Sequence, residues 1–277
     1  MGRTIISWAT HTWNPATGCS KVSEECAHCY AETLSLRRGW TKLPWTVPNA
    51  AVNVTVHYDR LKAPFRMRLD PGEEPHPRYP IRVFVNSMSD MFHAQVPDGF
   101  LAEVFYVMNH PDNAGRVFQV LTKRPERAAE WPGPWGPNIW LGTTCGHERT
   151  RHRIATLTRA KARVKFVSIE PLLTRLPKLN LTGIDQILVG GESGGGYRPM
   201  RMEWARELRD AAAAQRVAYF FKQDSAFRTE TRCYLVEADG RCMQYRQFPG
   251  CFTPAVEVEP DNPAKHLELF PILSRTA

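Results

Sequence analysis

The sequence contains no run near the ~18 consecutive apolar residues that a membrane-crossing helix requires, which argues against a helical membrane protein. Residues Met1 to Ser7 lack the apolar stretch of a secretory signal, so the expected compartment is the cytoplasm. An even complement of cysteines is also missing. Seven cysteines argue against a complete disulfide framework and suit a reducing compartment. Internal repeats and long low-complexity tracts are absent. What remains is a chain of 277 residues, 43% hydrophobic, enough for a substantial core. One large domain is reasonable at this length, since α/β barrels routinely run ~200–250 residues undivided. The formal charge of +8 permits a polyanionic partner such as nucleic acid but does not demand one.

Cys19, Cys26 and Cys29 crowd one short segment, Thr17-Gly18-Cys19-Ser20-Lys21-Val22-Ser23-Glu24-Glu25-Cys26-Ala27-His28-Cys29-Tyr30. Three thiolates can hold three irons of a [4Fe–4S] cluster and leave the fourth iron open. A cluster closed by four cysteines normally carries electrons. An open iron accepts a small chelating ligand, so three cysteines form a catalytic arrangement. The competing reading is zinc, which usually wants four ligands, often as two Cys-x-x-Cys pairs. His28 lies too close to Cys26 and Cys29 to be a comfortable fourth ligand, and His11 is the better candidate. Cys145, Cys233, Cys242 and Cys251 have no chelating spacing and read first as buried or free thiols.

Short β-branched or aromatic runs recur along the chain: Ile81–Val85, Val117–Leu121, Asn138–Leu141, Val164–Val167, Gln186–Val189 and Val217–Phe221. Their nearly continuous apolar character suits parallel strands buried on both faces. An earlier strand is expected over Ile5–Ala9, feeding the cysteine loop. Helical patterns lie between, at Phe100–Asn109 behind Asp98, at His147–Arg159 and at Met202–Ala214. Strand alternating with helix predicts a partial or complete (β/α) barrel of about six or seven parallel strands over residues 1–250. Prolines at 44, 48, 64, 71, 75, 77 and 80 mark an insertion or lid at about 40–80, with a short helix near His57–Leu61. Residues 225–277 leave the rhythm and are expected to pack on the barrel as a C-terminal extension.

Polar residues gather where these strands end, and in a barrel that end builds the active site. Read singly, each is equally a turn residue or a helix cap. Six occur in succession: Asn86-Ser87-Met88-Ser89-Asp90, Thr122-Lys123-Arg124-Pro125, Gly142-Thr143-Thr144, Ser168-Ile169-Glu170-Pro171, Gly190-Gly191-Glu192-Ser193-Gly194 and Lys222-Gln223-Asp224. Glycines around Glu192 permit close backbone approach, and their N–H groups suit a phosphate or carboxylate. Glu170 could equally be a structural carboxylate paired with Lys222.

The Cys-x-x-Cys-Tyr ending resembles the radical S-adenosylmethionine (SAM) enzymes, although the first gap, Cys19 to Cys26, is longer than their commonest spacing. Together with Trp13-Asn14-Pro15-Ala16-Thr17-Gly18-Cys19, Met91-Phe92-His93 after Asp90, Phe166–Leu173 and Phe220-Phe221-Lys222-Gln223, the strand-end motifs resemble a radical-SAM-like protein family of bacteriophages and prophages. The resemblance covers roughly residues 7–250. It implies a [4Fe–4S] cluster on Cys19, Cys26 and Cys29, SAM on the open iron, and a 5′-deoxyadenosyl radical that takes hydrogen from an inert carbon. Tyr30 would then pack by the adenine. Asn86, Ser87, Ser89, Asp90, Lys123, Thr143, Thr144 and Glu170 are the expected cofactor contacts, with Lys123 on the SAM carboxylate. Glu192, Lys222 and Gln223 are expected on the substrate. An external electron donor such as flavodoxin or ferredoxin is implied, in the host cytoplasm if a phage encodes the chain.

The expected substrate is phage nucleic acid, with isomerisation or rearrangement of a hypermodified thymidine side chain in DNA. A small metabolite, a peptide or a DNA lesion is the alternative within the same chemistry. A non-catalytic zinc or iron–sulfur nucleic-acid-binding protein is the third reading. The basic run Arg149, Arg151, Arg153, Arg159, Lys161, Arg163 and Lys165 reads either as a phosphate-binding face or as a solvated barrel helix. Trp131, Trp135 and Trp140, set among prolines, read either as base-stacking residues or as packing over the barrel.

Overall fold

A computed structural model describes residues 2–69 and 75–260. Pro71 and the last part of the expected C-terminal extension, residues 261–277, lie outside the described residues. Seven strands form one all-parallel sheet in sequence order, curled into a half-barrel: β1 His11–Trp13, β2 Ile81–Val85, β3 Arg116–Thr122, β4 Ile139–Thr144, β5 Val164–Ile169, β6 Gln186–Gly190 and β7 Ala218–Gln223. The fold is therefore a partial (β/α) barrel. Among the described residues no helix is long and apolar enough to cross a membrane.

The period-two alternation of the strands sorts their side chains into two cores. Val83, Phe118, Leu141, Val167, Ile187 and Phe221 face outward and pack with helix residues such as Leu101, Val104, Phe105 and Leu208. Phe84, Val117, Trp140, Phe166, Leu188 and Phe220 face inward and pack with Trp8 and Phe248. Gly142 is one of the inward positions. A Cβ there would meet the Phe166 ring at 2.3 Å, so a missing side chain on β4 makes room for the ring from β5.

Helices Asp98–Asn109, Pro125–Glu130, His152–Thr158 and Met202–Ala214 make four of the crossovers. The segment expected to be helical from His147 divides at Arg151, with a 3₁₀ turn at Glu148–Thr150 before the helix proper. The β5–β6 crossover carries no helix. The Pro-rich insertion forms the short helix Ala50–Asn53, the strand Thr55–Val56 paired with Ala16–Thr17, and 3₁₀ turns at Tyr58–Arg60 and Ala63–Arg66.

Two expectations about the termini change in the structure. The first strand is His11–Trp13 rather than Ile5–Ala9. Residues before it double back, with Thr4 N–H donating to the Thr10 carbonyl at 3.2 Å and Thr12 N–H to that of Gly2 at 3.0 Å. The tip reaches the other edge of the half-barrel, where Ser7 N–H donates to Glu230 Oε1 at 3.2 Å and Ser7 Oγ accepts from Arg246 at 3.0 Å. The apolar residues of this hairpin serve a bridge over the open side, not a ladder. From the other terminus, Phe221 N–H donates to the Tyr245 carbonyl at 3.1 Å and Gln247 N–H to that of Tyr219 at 3.2 Å. This pairing covers the β7 edge and delivers Phe248 into the inner core.

Candidate functional site

The carboxyl ends of the strands open into a cavity of about 490 Å³, within the ~300–1,000 Å³ of ordinary small-ligand sites. Cys19, Cys26, Cys29 and Tyr30 line it from the loop after β1. Asn86, Ser87, Ser89 and Asp90 line it after β2, Lys123 after β3 and Thr144 at the end of β4. Glu170, Glu192 and Lys222 complete the far wall. Two expected residues are not on this surface. Thr143 points to the other face of β4, as alternation requires, and its hydroxyl donates to the Thr122 carbonyl at 2.9 Å. Gln223 is buried, with its amide donating to the Gly191 carbonyl at 3.1 Å and accepting from Glu230 N–H at 2.6 Å.

The cysteine loop is held by the loop after β2. Asn14 Nδ2 donates to Ser87 Oγ at 3.1 Å, and Met88 N–H donates to Asn14 Oδ1 at 3.0 Å. Ser89 Oγ donates to the Ala16 carbonyl at 3.1 Å, and Asn86 Nδ2 to Ser89 Oγ at 2.7 Å. Gly18 has φ +81 and a Cβ there would stand 2.0 Å from the Asn53 carbonyl oxygen, so only glycine allows this approach to the insertion. Tyr30 is half exposed, and its hydroxyl donates to the Ser87 carbonyl at 2.8 Å. Asn86, Ser87 and Ser89 thus already have protein partners. Asn86 Oδ1 and Thr144 Oγ1 are different: both are buried and have no partner in the described structure.

The carboxylate of Asp90, which lines the cavity, is already engaged by four protein donors. It accepts from Thr122 Oγ1 at 2.7 Å, Phe92 N–H at 3.0 Å, Lys123 N–H at 2.9 Å and Arg124 Nη1 at 2.9 Å. Burial works against its charge, but these donors, Arg124 foremost, hold its pKa below the usual value. The guanidinium so fixed reaches Cys19 Sγ at 3.5 Å and the Ser20 carbonyl at 2.9 Å. In the sequence Arg124 is one of the polar residues after the third strand, with no role assigned to it. In the structure it is the residue that ties β3 to the first cysteine. His93 extends the same network, with Nε2 2.9 Å from Ser20 Oγ and Nδ1 accepting from Gln95 N–H at 3.1 Å. Burial and the neighbouring Arg124 lower its pKa to about 4.

Burial raises the Cys19 thiol to about 11, with Asp90 adding and Arg124 opposing. Burial likewise raises Cys29, where Lys123 opposes. Cys26 interacts electrostatically with both. Lys123 has no hydrogen-bond or ion-pair partner for its ammonium among the described residues. Also among the described residues, no group of three or more His, Cys, Asp and Glu side chains converges as a single metal ion requires. Cys19, Cys26 and Cys29 put three thiols on one cavity wall, the donor number of an open four-iron cluster, with Arg124 beside Cys19 and Lys123 beside Cys29. His11, the alternative fourth ligand, has its ring 2.9 Å from Thr10 Oγ1 and does not line the cavity.

On the far wall, acids and bases are joined to one another. Lys222 Nζ binds Glu170 Oε1 and lies 3.9 Å from Glu230. Burial disfavours the ammonium, but the Glu170 and Glu230 carboxylates outweigh it and raise its pKa. Glu192 accepts from Arg198 Nη2 at 2.5 Å and Arg198 N–H at 2.8 Å, and lies 3.0 Å from His28 Nδ1. Glu192 therefore grips the cysteine loop from the opposite side. Glu25, in the same loop, accepts from Gly146 N–H at 2.9 Å and Thr150 Oγ1 at 2.5 Å. No motif marks Arg198 or Glu25, since their importance depends on which loops the sheet brings together.

The basic run does not form one face. Arg153 is buried, donating to the Thr144 carbonyl at 3.1 Å and standing 3.9 Å from Glu25. Arg149 pairs with Glu24 at 2.8 Å and Arg151 with Glu148 at 3.2 Å. Lys161 and Arg163 precede β5 and so lie at the opposite end of the barrel from the cavity. The tryptophans pack on the protein itself: Trp131 and Trp135 lie 5.5 and 4.9 Å from Phe105 on the outer core, and Trp140 is in the inner core.

The sequence profile of a family described as "Protein of unknown function (DUF5131)" matches residues 3–251, and the chain belongs to that family. No curated protein and no solved structure matches it.

Proposed function

We propose that this family member is a radical SAM enzyme, with a [4Fe–4S] cluster on Cys19, Cys26 and Cys29 and a hypermodified thymidine side chain in DNA as its substrate. The observation that supports the reading most directly is that the three thiols share one cavity with the unpartnered ammonium of Lys123. When bound, the cluster and SAM would supply one-electron cleavage and hydrogen abstraction from an unactivated carbon. An external donor such as flavodoxin or ferredoxin would supply the electron.

The chain's own residues divide the remaining work. Arg124, locked by Asp90, places positive charge beside Cys19. Lys123 would hold the carboxylate of SAM. Tyr30, fixed through Ser87, would flank the adenine, while Asn86 Oδ1 and Thr144 Oγ1 remain for ribose or amino contacts. Lys222 and Glu170 neutralise each other and would meet the substrate as a fixed dipole. Glu192 orients His28 and with it the segment between Cys26 and Cys29. A base inside a duplex cannot reach a radical held in this cavity, so the nucleotide would flip out.

Anaerobically purified protein should contain about four iron and four sulfide per chain, and Cys19→Ala, Cys26→Ala or Cys29→Ala should each abolish them. A colourless anaerobic protein holding one tightly bound zinc would overturn the cluster. Nucleosides of modified phage DNA should change mass or retention after turnover with SAM and reductant. An unchanged profile across several modified DNAs, with an active cluster, would overturn the DNA substrate.

A further inference from the structure

The segment that begins at the cavity wall continues onto a surface of unusual charge. From Thr33 to Tyr58 the chain contains no Asp or Glu. Within it Arg37, Arg38 and Lys42 are exposed, and Trp40 is 57% exposed. None of these four has a side-chain hydrogen bond, ion pair or ring partner among the described residues. The patch is continuous with the cavity rim. Tyr30, Ala31 and Leu34 of helix Tyr30–Arg37 line the cavity, and so does Trp45 after the patch. At ~1.5 Å rise per residue the helix carries the chain about 10 Å from the rim to Arg37.

Cations in the last turn of a helix also complement its dipole, an ordinary stabilising role. That role explains Arg37 and Arg38. It does not explain Lys42, which lies beyond the helix, or an indole left in solvent. Large aromatics normally bury most of their surface, and here Trp40 stands among cations that no carboxylate of the described residues pairs with. The Arg149–Lys165 run offers the opposite case, with its members near the cavity already paired or buried.

We infer that Arg37, Arg38, Trp40 and Lys42 form a binding surface for single-stranded DNA, the cations on phosphates and Trp40 stacked on a base. A cationic surface with an open aromatic face is how single strands are held without regard to sequence. Its position beside the cavity suits the strand flanking a flipped nucleotide. The inference deepens the DNA reading above and rests on it. An acidic redox protein would satisfy the same charges, but it would leave Trp40 without a stacking partner.

The test is fluorescence anisotropy of labelled single-stranded DNA with the full chain, across a range of salt. The binding measurement needs neither cluster nor SAM, and a second measurement follows reduction of the reconstituted cluster by flavodoxin. The wild type should bind with a steep salt dependence. R37E/R38E/K42E should lose at least about tenfold in affinity, and three lost contacts at ~0.7 each should lower the salt slope by about 2. Trp40→Ala should weaken binding about tenfold with the slope unchanged. Reversing Arg159 and Arg163 at the far end should change neither. If the wild type binds and the triple variant keeps its affinity and slope, the surface is wrong and the DNA substrate stands. If the wild type shows no salt-dependent binding, both fall. If the triple variant binds DNA normally but its cluster is no longer reduced by flavodoxin, the surface belongs to the electron donor and the inference is overturned.

Discussion

The two ends of the half-barrel use the same strands for opposite purposes. At the amino end, inward positions carry Phe84, Trp140, Phe166 and Phe220, sealed by Trp8 and Phe248. A few residues further along the same strands, the inward positions become Asn86, Thr144, Glu170 and Lys222 around a cavity. The closed end is a packing problem, solved by apolar area. The open end is an electrostatic one, solved by joining nearly every charge to a partner and leaving Lys123 free. Trp8 and Phe84 also form part of the cavity wall, so the difference predicts that closed-end substitutions away from that wall, such as at Phe166, act on stability alone. Open-end substitutions should act through charge, and some of them on ligand binding without any cost in stability.

The largest effect should come from Phe166→Ala, which opens a void against Gly142 and Trp8. It should cost about 3–5 kcal/mol in denaturant unfolding. Iron content per folded chain should stay unchanged. Loss of less than about 1 kcal/mol would mean that the closed end is not the stabilising core.

His93 tests the open end by pH. It is neutral in the fold, with a pKa lowered from about 6.5 to about 4 by burial and Arg124. The unfolded chain binds the proton first, so its contribution is complete above about pH 6.5. It is lost as pH falls towards about 4, by up to about 3 kcal/mol. His93→Gln should remove that slope from the pH dependence of unfolding. Asp90 and Glu192, with lowered pKa values, contribute in a different window. Their stabilisation holds above about pH 4 and fades only below it.

Lys222→Met should cost about 2 kcal/mol, less than the ~3–5 of a fully buried pair because Glu170 retains some solvent. Adding Glu170→Gln should restore most of the loss. A double variant no better than the single one would show that the pair is not the reason for the effect. The smallest effect on stability belongs to Lys123→Ala, within about 0.5 kcal/mol. The same variant should weaken SAM binding in calorimetry about tenfold, as removal of a charged hydrogen-bond partner would. Unchanged SAM affinity would remove Lys123 from the cofactor site.

Much of the scaffold was legible because strand and helix leave periodic traces. Ile81–Val85 and Met202–Ala214 appear in the structure with the bounds that their apolar patterns suggest. The other five long strands differ from their runs by one to three residues at an end, in most cases because polar or glycine residues that complete the ladders carry no apolar signal. β1 was missed because Ile5 to Ala9 has a strand's composition, while its polar neighbour His11 does the pairing. At the site, the positions after strand ends drew attention to the right loops but could not assign roles. Asp90 and Glu192 look like ligand-binding acids in one dimension, and each is enclosed by donors in three.

The sequence by itself determined the parallel half-barrel and the crowding of three cysteines into one loop, because period, run length and spacing are local properties. Tertiary structure alone decided which polar residues remain available. Arg124 meets Asp90 and Cys19 only when β2, β3 and the cysteine loop converge, and Lys222 meets Glu170 only across β6. A charge's usefulness depends on whether another charge lies within a few ångströms, and that distance is set by sheet order rather than by chain order.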